Sequence, residues 1–142
     1  MEFGELLKQF LIDLQSLFRN QTKNLNITLP QLILITSIPT DGIDMTTLSQ
    51  RLGVDNSTLT RLIGVLIRNQ IVMKNKNPLD GRSVIVTLTD YGEKLYSKIE
   101  VEIDKFGSDL YHKIPVEDQE EVKEILFNLH WIISKHRLNM NK

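Results

Sequence analysis

No cysteine occurs among the 142 residues, which rules out a disulfide framework, a thiolate metal site and a thiol redox switch, and fits a reducing cytoplasm. Long apolar runs are missing as well. None approaches the roughly 20 residues needed to cross a bilayer, and the opening MEFGELLKQF places acidic residues among apolar ones, so a cytosolic location and no membrane partner are expected. The only histidines are His112, His130 and His136, none at a metal-binding spacing, and there is neither a glycine-rich phosphate loop nor a nucleophile elbow. Carboxylates cluster in helical stretches, where they read as solvated faces. No metal, cofactor or catalysis is therefore expected.

What is present is an ordinary globular composition, 41% hydrophobic, in a length suited to one domain. The net charge of −1 is low for a nucleic-acid binder, but charge is unevenly placed, and the field at a binding face matters more than the sum. From Asp44 to Leu88 six basic residues (Arg51, Arg61, Arg68, Lys74, Lys76, Arg82) face three acidic ones (Asp44, Asp55, Asp80). The remainder of the chain has an acidic excess.

Phe3, Leu6, Leu7, Phe10, Leu11, Leu14, Leu17 and Phe18 recur at intervals of three and four, predicting an amphipathic helix from about Glu2 to Lys23. Thr28-Leu-Pro-Gln31 combines an N-cap, an early proline and a glutamine three residues on, so a short helix through Leu34 and Ile35 is expected before Pro39. Asp41-Gly42 marks a turn. Asp44 can cap a helix ending near Leu52, Gly53 suits the next turn, and Asp55 can cap a helix from Asn56 to about Asn69. Within it Leu59, Leu62, Ile63, Leu66 and Ile67 form the inward stripe, leaving Ser57, Thr58, Thr60, Arg61, Gly64 and Arg68 outside it.

From Ile71 the period changes to two. Val84, Val86 and Leu88 alternate with Ile85 and Thr87 behind the turn-like Asn77-Pro78-Leu79-Asp80-Gly81, predicting a hairpin. Thr89 can cap a long helix carrying Leu95, Ile99, Ile103, Phe106 and Leu110. Pro115 opens a last helix with Val122, Ile125, Leu126, Leu129, Ile132 and Ile133 inward. Glu117, Asp118, Glu120 and Glu121 near its start and Lys135, His136 and Arg137 near its end complement the helix dipole.

Helix, turn, helix and hairpin in direct succession form a DNA-reading unit for a geometric reason: the second helix fits a major groove while the hairpin reaches a neighbouring groove or the backbone. Asn56, Ser57, Thr58 and Thr60 are short hydrogen-bonding side chains near that helix's N-terminus, where free N–H groups favour phosphate, and Arg61 can reach a base edge or phosphate. For the serine and threonines a plain capping or surface role is an equal alternative.

DNSTLTRLIGVLIRNQIV resembles the recognition helix of the MarR (multiple antibiotic resistance regulator) family, and NPLDGRSVIVTLTDYG resembles its wing: Asp80 and Arg82 as an Asp-x-Arg pair, then Leu88, Thr89 and Gly92. The resemblance covers the whole chain and implies a mainly α fold with a small β-wing (α+β): one domain over 1–142, with a winged helix-turn-helix unit at 28–89 and dimerisation helices at 1–24 and 90–142. It implies that Arg82 enters a minor groove and that Asp80 orients the wing or its arginine. A narrow minor groove does concentrate the negative potential that attracts a guanidinium.

The function so implied is a homodimeric regulator of transcription, a repressor on an inverted repeat of double-stranded DNA, released by a small-molecule effector. Trp131, Tyr91, Tyr96 and Tyr111 are candidates to line the effector cavity, although aromatic residues at helical spacing more often pack. The competing reading is a winged-helix module that binds protein, which the low net charge favours and the Asp80–Arg82 pair opposes. Departures from the family pattern are Gly81 in place of a second arginine, Gly64 and Val65 where polar residues are frequent, and Gln70 where a glycine usually ends the recognition helix.

Overall fold

The computed structural model describes residues 1–140. The elements run α1 (Phe3–Thr22), α2 (Leu29–Thr36), β1 (Ile43–Asp44), α3 (Met45–Leu52), α4 (Asn56–Arg68), β2 (Val72–Asn77), β3 (Asp80–Leu88), α5 (Asp90–Lys113) and α6 (Gln119–Met140). The chain separates into two compact units, Met1–Ile103 and Asp104–Lys142. The expected division at residue 89 is by role, whereas the compact units meet inside α5.

Local chemistry explains the starts and stops of the first unit. Thr28 and Gln31 form the expected reciprocal capping box at the head of α2, with Pro30 in the first turn. Asp44 caps α3 by accepting from the Thr47 N–H and hydroxyl at 2.8 and 2.7 Å. Gly53 ends that helix with φ +67°, the left-handed conformation that a side chain disfavours. Each cap contributes on the order of 1 kcal/mol.

The core of this unit gathers Leu34 and Ile35 of α2, Leu48 of α3, Leu59 and Ile63 of α4 and Val86 of β3, all fully buried. Phe18 near the end of α1 packs against it, and Gln21 donates to the Glu102 carboxylate of α5 at 2.6 Å. The hairpin is more than two strands. β1 pairs antiparallel with β3 (Ile43 opposite Val86) and β3 with β2 (Val72 opposite Leu88), giving the order β1-β3-β2. Two residues are too short a stretch to show a period, which is why alternation did not reveal β1.

Three sequence expectations are corrected. Ile67 belongs to the predicted inward stripe of α4 but is exposed, because the buried residues Leu59, Ile63 and Leu66 define a narrower face. Pro115 opens a single 3-10 turn, Val116–Asp118, and α6 begins only at Gln119, so Glu117 and Asp118 precede the helix and Glu120 and Glu121 occupy its first turn. In the second unit the stripe from Val122 to Ile133 is not inward: Leu126 is 60% and Ile132 64% exposed, and no residue of α6 is buried. Polar bonds join the end of α5 to the start of α6 in this unit. Gln119 donates to the Tyr111 and Ile114 carbonyls, and the Tyr111 hydroxyl donates to Glu120 at 2.9 Å.

Candidate nucleic-acid interface

The first turn of α4 is organised by Asp55. Its carboxylate accepts from the Thr58 N–H at 2.7 Å and from the Ser57 hydroxyl at 2.9 Å, and these bonds, with the charge of Arg61 adding to them, hold the carboxyl below the ordinary aspartate range. Asn56, Ser57, Thr60 and Arg61 are exposed, whereas Thr58 is half-buried. The Thr60 hydroxyl donates to the Asn56 carbonyl at 2.8 Å. Ser57 and Thr60 have thus committed their single hydroxyl protons within the helix and present acceptor lone pairs outward. Arg61 presents guanidinium donors to solvent.

The wing tip is equally ordered. Asn77 accepts from the Leu79 N–H at 2.9 Å and donates to the Ser83 hydroxyl at 2.9 Å, and Asp80 accepts from the Arg82 N–H at 3.1 Å. Asp80 therefore braces the turn through the backbone rather than through the arginine side chain. Arg82 stands exposed on β3. α4 and the wing lie in the same compact unit, Met1–Ile103.

The sequence reading left Lys74 and Lys76 outside the site. Both are exposed on β2, opposite Val86 and Val84, so their spacing of two residues puts them on one face of the wing. That spacing was the available signal. Of the other bases, Arg51 is engaged in the fold, donating to the Ser37 carbonyl at 3.2 Å. Tyr96 lines a cavity of about 370 Å³ with Ile38, Pro39, Thr40, Leu88 and Glu93, and Tyr91 lines a second of about 460 Å³ with Leu25 and Leu95. Trp131 stacks edge-on against Phe127, both exposed on α6. Among the described residues no cluster of three metal-ligating side chains occurs, and no helix is long and apolar enough to cross a membrane.

A capped helix pair, a three-stranded sheet ending in a hairpin and long helices at either end define a winged helix-turn-helix of the MarR type. Solved structures share this fold. E. coli MarR in its apo form matches with a TM-score of 0.80 at 23% identity over 91% of this chain and 97% of its own. A MarR protein from Peptoclostridium difficile matches with 0.81 at 22% over 99% and 92%, and an S. aureus MepR–DNA complex with 0.75 at 19% over 95% and 98%. No curated protein sequence matches. The sequence model of the transcriptional regulator SarA/Rot family matches residues 16–99, well over half of the chain. The protein belongs to that family of transcriptional regulators and has a winged helix-turn-helix fold.

Proposed function

We propose that the protein works as a homodimer that represses transcription by occupying an inverted repeat, and that a small molecule releases it. The observation that carries this reading is the pairing, in one compact unit, of a capped α4 whose exposed face holds Asn56, Ser57, Thr60 and Arg61 with a braced hairpin tip that exposes Arg82. Two such units on a two-fold axis place two α4 helices in major grooves about one helical turn, roughly 34 Å, apart.

Arg61 reads a base edge or phosphate, and Arg82 enters the flanking minor groove while Asp80 keeps its turn in shape. Lys74 and Lys76 add phosphate contacts along the wing. Apolar surface supports the dimer. Phe10 and Leu11 of α1 are 48% and 57% exposed, and the bare stripe of α6 has Ile125, Leu126 and Ile132, two apolar faces of a kind that lone folded chains rarely leave in water. The cavity beside Tyr96 and Leu88 is the candidate effector site; a ligand acts there only by binding one state more tightly than the other.

Selection of bound duplexes from a random pool, with and without small aromatic acids, tests the proposal. Recovery of an inverted repeat supports it. Recovery of nothing, with the chain capturing a protein partner instead, replaces it with the protein-binding alternative.

A further inference from the structure

The junction between α4 and α5 is drawn together at Thr89, through both its backbone and its hydroxyl. α4 ends with its last carbonyls satisfied in the 6→1 and 5→2 pattern: the Ile71 N–H donates to Leu66 and the Gln70 N–H to Ile67, both at 2.9 Å. Gln70 sits at the left-handed position with φ +62°, where this pattern ordinarily takes glycine. The two carbonyls beyond this end, those of Gln70 and Ile71, both receive the Thr89 hydroxyl, at 2.6 and 3.2 Å. The Thr89 N–H also donates to the Ile71 carbonyl at 3.0 Å.

The same hydroxyl oxygen accepts from the Gly92 N–H at 2.9 Å, as N-cap of α5. One oxygen atom thereby ties the turn that follows α4 to the first turn of α5. Gly92 completes the contact, since a Cβ there would overlap the Ile71 carbonyl oxygen, which as backbone cannot give way. Leu88, Thr89 and Gly92, which the sequence places just after the wing with Thr89 as a helix cap, meet at this joint.

The geometry points to Thr89 as a positioning residue for DNA reading: its hydroxyl clasps the end of α4 to the start of α5 and so fixes the angle at which α4 is presented. The inference rests on the proposed dimeric DNA reading. α5 leads from the reading unit toward the chain's C-terminal helices, so in a two-fold assembly an angular error at this joint enters twice into the separation of the two α4 helices. Without the clasp each α4 still meets DNA, but the pair no longer insists on one spacing.

The test compares Thr89→Val, Thr89→Ala and Thr89→Ser with the wild type on three duplexes: the inverted repeat selected by the wild type, the same repeat with its spacer changed by one base pair, and a random sequence. Folded fraction is measured alongside by circular dichroism. T89V and T89A are expected to bind the selected repeat at least tenfold more weakly, to bind the random duplex within twofold of wild type, and to lose the preference for the original spacer. T89S, which keeps the oxygen, is expected to restore both affinity and spacing.

Folded hydroxyl-less variants that keep the wild-type affinity and spacing preference overturn the assignment, as does a T89S protein as defective as T89V. Equal loss on specific and random duplexes overturns it too, because that is the behaviour of a general folding defect. If neither T89V nor T89A folds, the hydroxyl is a requirement of the fold and the positioning role falls. A wild type that selects no duplex removes the DNA reading itself and this assignment with it, and is distinguished from the other outcomes by needing no variant.

Discussion

At the scale of single residues, the division of labour between neighbours decides what can touch DNA. Ser57 and Thr60 spend their protons on Asp55 and on the Asn56 carbonyl, so they can accept from a base amino group but not donate to a phosphate. Arg61 and Arg82 remain the strong donors. Replacing either with alanine is expected to weaken binding to the selected repeat by about 1–3 kcal/mol while leaving the fold intact, as read by fluorescence titration at fixed salt beside circular dichroism. Lys74→Ala and Lys76→Ala should instead weaken all duplexes alike, each lowering the slope of log K against log salt by about 1. Gln70 makes a separate point. Its left-handed φ of +62° costs a side chain roughly 1–2 kcal/mol that glycine escapes, so Gln70→Gly is expected to raise Tm by several degrees in thermal unfolding.

At the scale of elements, capping carries a pH signature. Backbone and side-chain hydrogen bonds from Thr47 and from Thr58, respectively the leading causes, lower the affinity of Asp44 and Asp55 for protons in the folded chain. A carboxylate depressed in this way stabilises the fold fully above the unfolded aspartate value of about 3.9 and loses its contribution as pH falls through the lower folded value. Asp55→Asn should therefore flatten the acid limb of the Tm-against-pH curve while changing little at neutral pH, because asparagine still caps. The same caps made the helices legible: Thr28 with Gln31, Asp44, Asp55, Gly53 and Thr89 are short-range signals, and each sits where the sequence placed it. Ile67 and the start of α6 were misjudged because burial width and a 3-10 entry depend on neighbours rather than on local spacing. β1 escaped because its only reason to be a strand is β3, more than forty residues away. Of the candidate interface, the positions of α4 and the hairpin tip were readable, and the two-residue spacing that sets Lys74 and Lys76 on one face was a signal passed over.

At the scale of the whole molecule, the proposed dimer rests on the exposed apolar faces of α1 and of α6. Charge placed there should keep the chains apart. Leu11→Glu and Leu126→Glu are expected to shift a dimer toward monomer in sedimentation velocity and, by removing one of two half-site grips, to weaken binding to an inverted repeat far more than to an isolated half-site. Unchanged sedimentation in both variants would place the dimer contact elsewhere. The strap supplied by β1 has its own consequence. Because Ile43 and Asp44 are paired to β3 at the base of the hairpin, the arm is rooted on two sides and resists swinging. In the proposed dimer any mismatch between its two-armed reach and straight B-form duplex must then be absorbed by the nucleic acid, so pliable pyrimidine–purine steps are expected in the duplexes it selects even where no side chain arrives to inspect them.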